Sequence, residues 1–203
     1  MAQKLMLPQF KSRLTASYKN STYRATYGFP HYGIDLVYPG GSDKRIFASG
    51  TGTLIAKGWD ENTGYTVVIK YPAAYNHKSK TYEDVIFRYF HLNSINSNLP
   101  TGTNAIEPLT FIGYYGGSGN GVMNALDPHL HLEADTDTSY PCYSPTFRAS
   151  GSIIKGAVDG ATDSTLHSAL EYLHCKTSSP ENQEYDTVND SYINSGDYSL
   201  PSI

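Results

Sequence analysis

Several features that mark common protein classes are missing from the sequence. No stretch approaches the ~20 apolar residues that a membrane-spanning helix needs, so we expect no membrane insertion. The first residues, MAQKLMLPQFKSRL, lack the apolar core of ~7–15 residues and the small-residue cleavage site of a secretory signal. We therefore expect a protein made in the cytoplasm, a trimmed fragment, or a protein that is released without such a signal.

Basic residues and cysteines are scarce as well. Lys and Arg number 15 against 19 Asp and Glu, which gives a net charge of −4, and they form no run. This balance gives nucleic-acid binding no electrostatic support. The two cysteines, Cys142 and Cys175, match no CxxC spacing. They are compatible with one disulfide or with two free thiols, and the sequence leaves both open.

Strand-forming residues dominate residues 7–134. Tyr is abundant, with 18 copies against 7 Phe and 1 Trp, and it suits half-exposed strands and polar grooves. We predict strands in FASGTGTLIAKGW, YTVVIKY, VIFRYFHL, LTFIGYY and PHLHLEA, and no helix in this region. In VIFRYFHL, strict alternation would place Val85, Phe87, Tyr89 and His91 on one face.

The pattern changes after about residue 150. In residues 163–174, DSTLHSALEYLH, apolar residues recur at helical spacing, which predicts a helix capped by Asp163 or Ser164. Residues 177–203 are polar and contain Glu and Asp but no Lys or Arg. This composition is typical of a flexible acidic tail.

Five residues in three short stretches indicate metal chemistry. They are His31 and Asp35 in HYGID, His91 in YFHL, and His129 and His131 in PHLHLEA. A catalytic zinc takes three protein ligands and leaves a fourth position open, and both imidazole nitrogen and carboxylate oxygen suit it. A lone HxH or HxxxD motif is weak evidence, but five such residues in one β region make coincidence a poor explanation.

The spacing of these residues suits a shared site. The HxxxD pair straddles Gly33, which would let the backbone bend so that both side chains reach one point. His129 and His131 would project from the same face of a strand, ~6–7 Å apart at the backbone. One of them can bind the metal while the other acts beside it as a general base or as a stabiliser of the transition state. His91 can join from a neighbouring strand. The other histidines are expected at the surface: His77, His167 and His174.

These motifs resemble the lysostaphin/LytM family of zinc endopeptidases, which cut bacterial peptidoglycan and carry HxxxD followed much later by HxH. HYGIDLVYP resembles the first motif and PHLHLEA the second. Between them, IFASGTGTLIAKGW, GYTVVIKY, RYFHL and LTFIGYYGGSGN resemble the family's intervening elements in the same order. The resemblance covers residues 8–134.

The resemblance implies a fold, a cofactor and a role for each of the five residues. The implied fold is mainly β, an antiparallel LytM-like sheet of the duplicated-hybrid-motif type, with a groove over its centre. One zinc ion per chain would be held by His31, Asp35 and His131. His91 and His129 match the family's two catalytic histidines, and which of them is the general base stays open.

The resemblance also divides the chain. Residues 1–149 would form the peptidase domain, 150–176 a C-terminal extension with one helix, and 177–203 the tail. Tyr23 and Tyr27 are candidates for the aromatic side chain that active members often place near the reacting groups. The segment GVMNALDP is longer than the family's usual link before HxH, so we expect it to enlarge one wall of the groove.

The expected function is hydrolysis of a stem-peptide or cross-bridge bond in peptidoglycan, for lysis or penetration of the cell wall, with release by a phage or by cell lysis favoured. The protein would then act outside the cell, in the cell wall or on a phage virion. The alternative is a non-catalytic LytM-like structural or binding module, for example a phage tail component, whose C-terminal extension binds assembly partners. A third hypothesis is that the tail enters the groove and donates a zinc ligand from Asp190 or Asp197.

Overall fold

The computed structural model describes residues 2–100, 105–157 and 160–187. Within these ranges the chain forms twelve strands, one α-helix and two short 3₁₀ turns. No helix in the described part is long and apolar enough to cross a bilayer. The helix is α1 (Ser21–Tyr27), and the strands are β1 (Lys11–Ala16), β2 (Gly33–Val37), β3 (Arg45–Phe47), β4 (Gly52–Asp60), β5 (Gly64–Asn76), β6 (Thr81–Ile95), β7 (Ala105–Ile106), β8 (Phe111–Tyr115), β9 (Leu130–Asp135), β10 (Leu166–His167), β11 (Cys175–Ser179) and β12 (Glu184–Thr187).

The twelve described strands join one sheet with β2, β9 and β6 at its centre. The order is β11, β12, β1, β2, β9, β6, β5, β4 and β7, while β10 pairs with β9, and β8 pairs with both β6 and β3. Each of these strand pairs is antiparallel. The prediction of a mainly β, antiparallel fold is therefore confirmed.

Successive side chains of β9 point alternately into the hydrophobic core and to the opposite face of the sheet. Leu130, Leu132 and Ala134 are fully buried in the main core. His131 and Glu133 alternate with them and therefore face the other side of the sheet. Burial of the apolar set fixes this arrangement, because a one-residue slip would exchange the two faces.

Residues 136–157, the covering segment, pack on part of the face that carries His131. Phe147 and Ile154 from this segment contact Val68, Ile86 and Phe90 of the sheet, and they form a second, smaller core. The neighbouring part of the same face stays open and forms a groove over the histidines. The covering segment therefore sets where the groove ends.

Each of the five segments predicted as strands contains a strand, but the prediction that no helix occurs before residue 134 is wrong. The side chain of Asn20 caps α1 by accepting the N–H of Tyr23 at 2.9 Å, and Gly28 ends the helix with a φ of 81°. None of the helix's seven residues is buried. The sequence therefore shows no apolar stripe there, and only the two caps signal the helix.

The helix predicted over residues 163–174 is absent. This segment forms two 3₁₀ turns, Asp163–Thr165 and Ala169–Glu171, on either side of β10, which pairs with the end of β9. Its leucines are all buried. Their spacing reflects packing of a turning chain against the sheet, and this tertiary packing outweighs helix propensity.

The flexible tail predicted from residue 177 is wrong for its first part. Residues 175–187 form a hairpin of β11 and β12, and β12 pairs with β1. Cys175 and Tyr185, at 2% and 3% exposed, belong to the main core. Residues 188–203, with Asp190 and Asp197, lie outside the described residues. The division of the chain at residues 149 and 176 stays a prediction.

Both cysteines are free, and two of the histidines expected at the surface are buried. The rings of His77 and His174 stack with their centroids 5.3 Å apart. Burial lowers the pKa of both to about 4, so both are neutral near pH 7. The backbone N–H of His77 binds the carbonyl of Glu171, and that of His174 binds the carbonyl of Leu5. This contact joins the β5–β6 turn to the C-terminal region.

The C-terminal hairpin should contribute to the stability of the whole fold. Tyr185→Ala removes a buried ring from the main core, so we expect the free energy of unfolding to fall by about 3–5 kcal/mol. Tyr82→Ala replaces an exposed tyrosine and should change it by less than about 0.5 kcal/mol. Urea denaturation followed by circular dichroism measures both. Wild-type stability in Tyr185→Ala would mean that the hairpin unfolds separately from the sheet.

Candidate active site

The fold brings the five candidate residues together at the centre of the sheet. Asp35 of β2 lies directly opposite His131 of β9 in the strand register. His31 precedes β2, His129 precedes β9, and His91 lies on β6, the other neighbour of β9. The side chains of His31, Asp35 and His131 form a compact cluster, and the rings of His91 and His129 lie beside it.

Three atoms of this cluster have the spacing of metal ligands. His31 Nε2 lies 3.1 Å from Asp35 Oδ1 and 3.1 Å from His131 Nδ1, and the last two atoms are 2.9 Å apart. Ligands at ~2.0–2.1 Å from a tetrahedral zinc lie roughly 3.3 Å from one another. Two imidazole nitrogens and one carboxylate oxygen are also a donor set that suits zinc. The residues therefore fit a single zinc ion.

The second nitrogen of each imidazole in the cluster has its own polar neighbour. His31 Nδ1 lies 2.8 Å from the carbonyl oxygen of Ser17, which only accepts, so Nδ1 carries the proton and Nε2 is left as a ligand. His131 Nε2 lies 3.5 Å from Oε1 of Glu133, which is fully buried. Such outer contacts fix the tautomer and the ring orientation of metal-binding histidines.

Opposite charges and hydrogen bonds dominate the electrostatics of the cluster. Burial alone would raise the pKa of Asp35, but its close contacts with the imidazoles of His131 and His31 hold it well below its usual range. Burial alone would lower the pKa of His131, but its contacts with Asp35 and Glu133 raise it to about 9. The cluster thus keeps a carboxylate ionised in a largely buried position, as a cation site requires.

Glycine is needed at position 33 because the His131 ring lies close to the backbone there, and not because the backbone bends. It lies in the extended strand β2, so the expected backbone bend is wrong. A Cβ at this position would lie 2.5 Å from Nε2 of His131 and 2.8 Å from the carbonyl oxygen of Leu132. Only glycine leaves room for the His131 ring beside β2.

His91 reaches the groove because β6 contains a bulge. Phe90 and His91 together lie opposite Thr66, and His91 has a φ of 62°, which is uncommon outside glycine. The expectation that His91 shares a face with Tyr89 is therefore wrong: Tyr89 lies in the main core, whereas His91 lines the groove. The extra residue turns His91 over, and the strained backbone marks a functional position.

The catalytic candidates His91 and His129 are held in matching tautomers. Their Nδ1 atoms donate to the carbonyl oxygens of Ser118 and Asp127, at 2.8 and 2.7 Å, so Nε2 is left as the acceptor in each neutral ring. Burial, followed by the neighbouring His131 and His129, lowers the pKa of His91 to about 3. The two ring centroids are 5.0 Å apart, and His129 Nε2 lies 3.7 Å from Asp35 Oδ1.

The groove above the histidines has a volume of about 350 Å³. The Tyr23 ring of α1 packs against the His31 ring at a tilt of 31°, with centroids 4.4 Å apart, and Tyr27 and Phe29 continue this aromatic wall. Leu126 and Asp127 of the long segment before HxH also line the groove, and the enlargement of this wall stays a prediction. The remaining lining residues are Asn62, Phe90, Asn120, Thr146 and Phe147.

Sequence reasoning missed the residues that orient the histidines. Ser17, Ser118 and Asp127 act through backbone carbonyls, which no side-chain motif reveals. Ser118 is itself fixed, since its hydroxyl donates to the carbonyl of Leu92 at 2.6 Å. Glu133 is different, because strand alternation alone predicts that it lies on the same face as His131, which is two residues before it.

Several solved structures resemble this chain over about two thirds of its length. One component of the SpoIIQ–SpoIIIAH pore-forming complex is 16% identical with a TM-score of 0.50, and the match covers 68% of this chain and 86% of that one. A zinc-containing peptidase from Vibrio cholerae is 20% identical with a TM-score of 0.46, and the match covers 66% of this chain and 36% of that one. The catalytic domain of the prophage-encoded M23 protein EnpA from Enterococcus faecalis is 21% identical with a TM-score of 0.47, with 65% and 88% covered.

The chain thus spans little more than a third of the Vibrio cholerae peptidase, at 36%. No curated protein matches it. The model of Peptidase family M23 matches residues 29–141, which is more than half of the chain and includes all five candidate residues. The chain therefore belongs to Peptidase family M23.

Proposed function

We propose that this protein is a zinc-dependent endopeptidase that hydrolyses peptide bonds in bacterial peptidoglycan. The observation that carries the proposal is the cluster of His31, Asp35 and His131 beside two histidines whose Nε2 atoms are left as acceptors. Of these five residues, Asp35 and the histidines other than His31 line an open groove. Membership of a peptidase family supports the reaction class. Resemblance to the lysostaphin/LytM enzymes supports peptidoglycan as the substrate.

His31, Asp35 and His131 would hold the zinc ion, one per chain. A bound zinc ion supplies Lewis-acid chemistry, which polarises the scissile carbonyl and makes an attacking water easier to deprotonate. Asp35 contributes a negative charge to the ligand set, and the carbonyl of Ser17 holds the His31 ring in the ligating tautomer. These contacts preorganise the cluster for a divalent cation.

His91 and His129 would carry the proton transfers. Nε2 of one of them accepts a proton from the attacking water, and a protonated histidine then stabilises the developing negative charge and donates to the leaving amine. Their fixed Nδ1 contacts with Ser118 and Asp127 keep both rings in the orientation that this chemistry needs. The two histidines share these roles, and neither is assigned as the single general base.

The groove suits an extended peptide. It is open to solvent and combines the aromatic side chains of Tyr23, Tyr27 and Phe29 with polar groups of Asn62 and Asn120. A stem peptide or a cross-bridge of peptidoglycan has the extended shape and the mixed polarity that such walls accept. Cleavage there would serve lysis or penetration of the cell wall, outside the cell, and release by a phage or by cell lysis is part of the proposal.

The alternative is a non-catalytic binding or structural module, for example a phage tail component. The chain keeps the four positions of HxxxD…HxH as well as His91, which favours the enzyme. The two proposals differ in a direct measurement, because a binding module needs neither a metal ion nor turnover.

The first prediction concerns His131. Wild-type protein should hold one zinc ion per chain and release new amino groups from purified peptidoglycan, whereas His131→Ala should do neither, because it loses a ligand at the centre of the cluster. His167→Ala, at a partly exposed histidine outside the groove, is the control and should keep both properties. Elemental analysis and amine release measure them. Wild-type protein without zinc would favour the binding module.

The second prediction separates catalysis from metal binding. His91→Ala and His129→Ala should keep the zinc ion, because neither residue belongs to the ligand cluster. Each should lower kcat by about 10²–10⁴-fold, the usual contribution of a general acid or base. Zinc content and turnover are measured on the same preparations. Loss of zinc in either variant would contradict the division between ligands and catalytic histidines.

The third prediction concerns Gly33. In Gly33→Ala the new methyl group collides with the His131 ring, so we expect weaker zinc binding and lower activity. Ile34→Val is the matched control, since the neighbouring residue faces the core and should cost about 1 kcal/mol of stability without changing zinc affinity. Chelator competition and thermal unfolding give the two readouts. Unchanged zinc affinity in Gly33→Ala would mean that the ring does not need this space.

A further inference from the structure

We propose that Glu133 is a positioning residue for the metal site, held by Arg88 and acting on the zinc ion through His131. The inference rests on the proposed function, because it concerns the ligand role of His131. Glu133 touches neither the groove nor the other ligands named above, and the family signature HxxxD…HxH does not include it.

The His131 ring is held from several sides. Phe90 stacks on it in parallel, with centroids 5.6 Å apart and an interplanar angle of 1°. The backbone of Gly33 closes the edge beside Nε2. Glu133 Oε1 lies 3.5 Å from that same nitrogen, so its negative charge favours a proton on Nε2. With the proton drawn to Nε2, Nδ1 is left to face Asp35 and His31 as a ligand.

Glu133 is itself fixed by a buried network. Arg88, which is fully buried, donates from Nη1 to Oε2 of Glu133 at 3.0 Å, and the Ser144 hydroxyl donates to Oε1 at 2.8 Å. Arg88 also binds the carboxylate of Asp135 and the carbonyl of Pro141. The Glu133 carboxylate therefore cannot move away from His131 without breaking contacts with both β6 and the covering segment.

The carboxylates of this network outnumber its one guanidinium group. Arg88 has two buried carboxylate partners, Glu133 and Asp135, although one would neutralise it. Together with Asp35 they make three carboxylates against one guanidinium, so two negative charges are left for the imidazoles of the cluster or a bound cation to balance. Burying unbalanced charge is costly, and a divalent ion in the cluster would balance it.

Two isosteric variants test the proposal. Glu133→Gln places an amide NH₂ towards either Arg88 or His131, and both are donors, so the contact with His131 is lost or weakened. Asp135→Asn is the matched control, because it removes the same charge from the same arginine without touching His131. Both should lower the melting temperature, since each leaves Arg88 with a single carboxylate.

The decisive readouts are zinc affinity, from competition with a chelator, and the absorption spectrum of the cobalt(II)-substituted protein. We expect Glu133→Gln to weaken zinc binding by about 10–100-fold and to shift the cobalt spectrum. Asp135→Asn should keep the wild-type spectrum and lose less than about tenfold in affinity. Equal losses in the two variants, or wild-type affinity in Glu133→Gln, would overturn the positioning role while leaving the proposed function intact.

A milder variant covers the case in which Glu133→Gln does not fold. Ser144→Ala keeps every charge of the network and removes only the hydroxyl that holds Oε1 of Glu133. A changed cobalt spectrum with weaker zinc binding supports the proposal, and an unchanged spectrum with wild-type affinity overturns it. Wild-type protein that binds no zinc at all overturns both this inference and the proposed function.

Discussion

The register of β9 between β2 and β6 is the constraint on which the rest of the site depends. It sets Asp35 opposite His131 on one side and Phe90 opposite His131 on the other. The same register buries Leu130 and Leu132 in the main core, so the hydrophobic effect that stabilises the sheet also holds the ligands in place. A slip by one residue would turn the leucines to the site face and His131 to the main core, so the site geometry depends on the same register as the fold.

Residue types and strand alternation predict a shared site for the five residues, and the family resemblance selects the three ligands among them, but neither predicts the backbone that completes the site. HxH on a strand places both histidines on one face, and this holds for His129 and His131. Alternation predicts that His91 shares a face with Tyr89, but a bulge in β6 turns its side chain to the opposite face. No sequence pattern predicts a positive φ at a histidine. The sequence likewise suggests that Gly33 lets the backbone bend. Glycine is required there because the His131 ring approaches from another strand.

The fold of the C-terminal region was the least predictable part, for a related reason. Apolar spacing in residues 163–174 satisfied a helical pattern, yet the same leucines are buried by an extended chain that turns twice against the sheet. The polar composition after residue 177 suggested a tail, yet Tyr185 alone buries a large ring in the core and the backbone hydrogen bonds of β12 are satisfied by β1. The composition of a segment indicates how much of it is buried on average. It does not indicate which strand edge of the folded sheet is available for the segment to pair with.

The strained backbone at His91 is supported from outside the ligand cluster. Its N–H binds the carbonyl of Thr63 in the β4–β5 turn, and that turn is fixed by Asp60, a fully buried carboxylate. One oxygen of Asp60 accepts the N–H groups of the turn, and the other accepts the N–H groups of Ile153 and Ile154 in the covering segment, both at 2.8 Å. The covering segment also supplies Ser144 to Glu133 behind His131. The segment that closes one end of the groove therefore also braces His91 and His131, so the extent of the substrate cleft and the alignment of the reacting groups depend on the same few buried polar contacts.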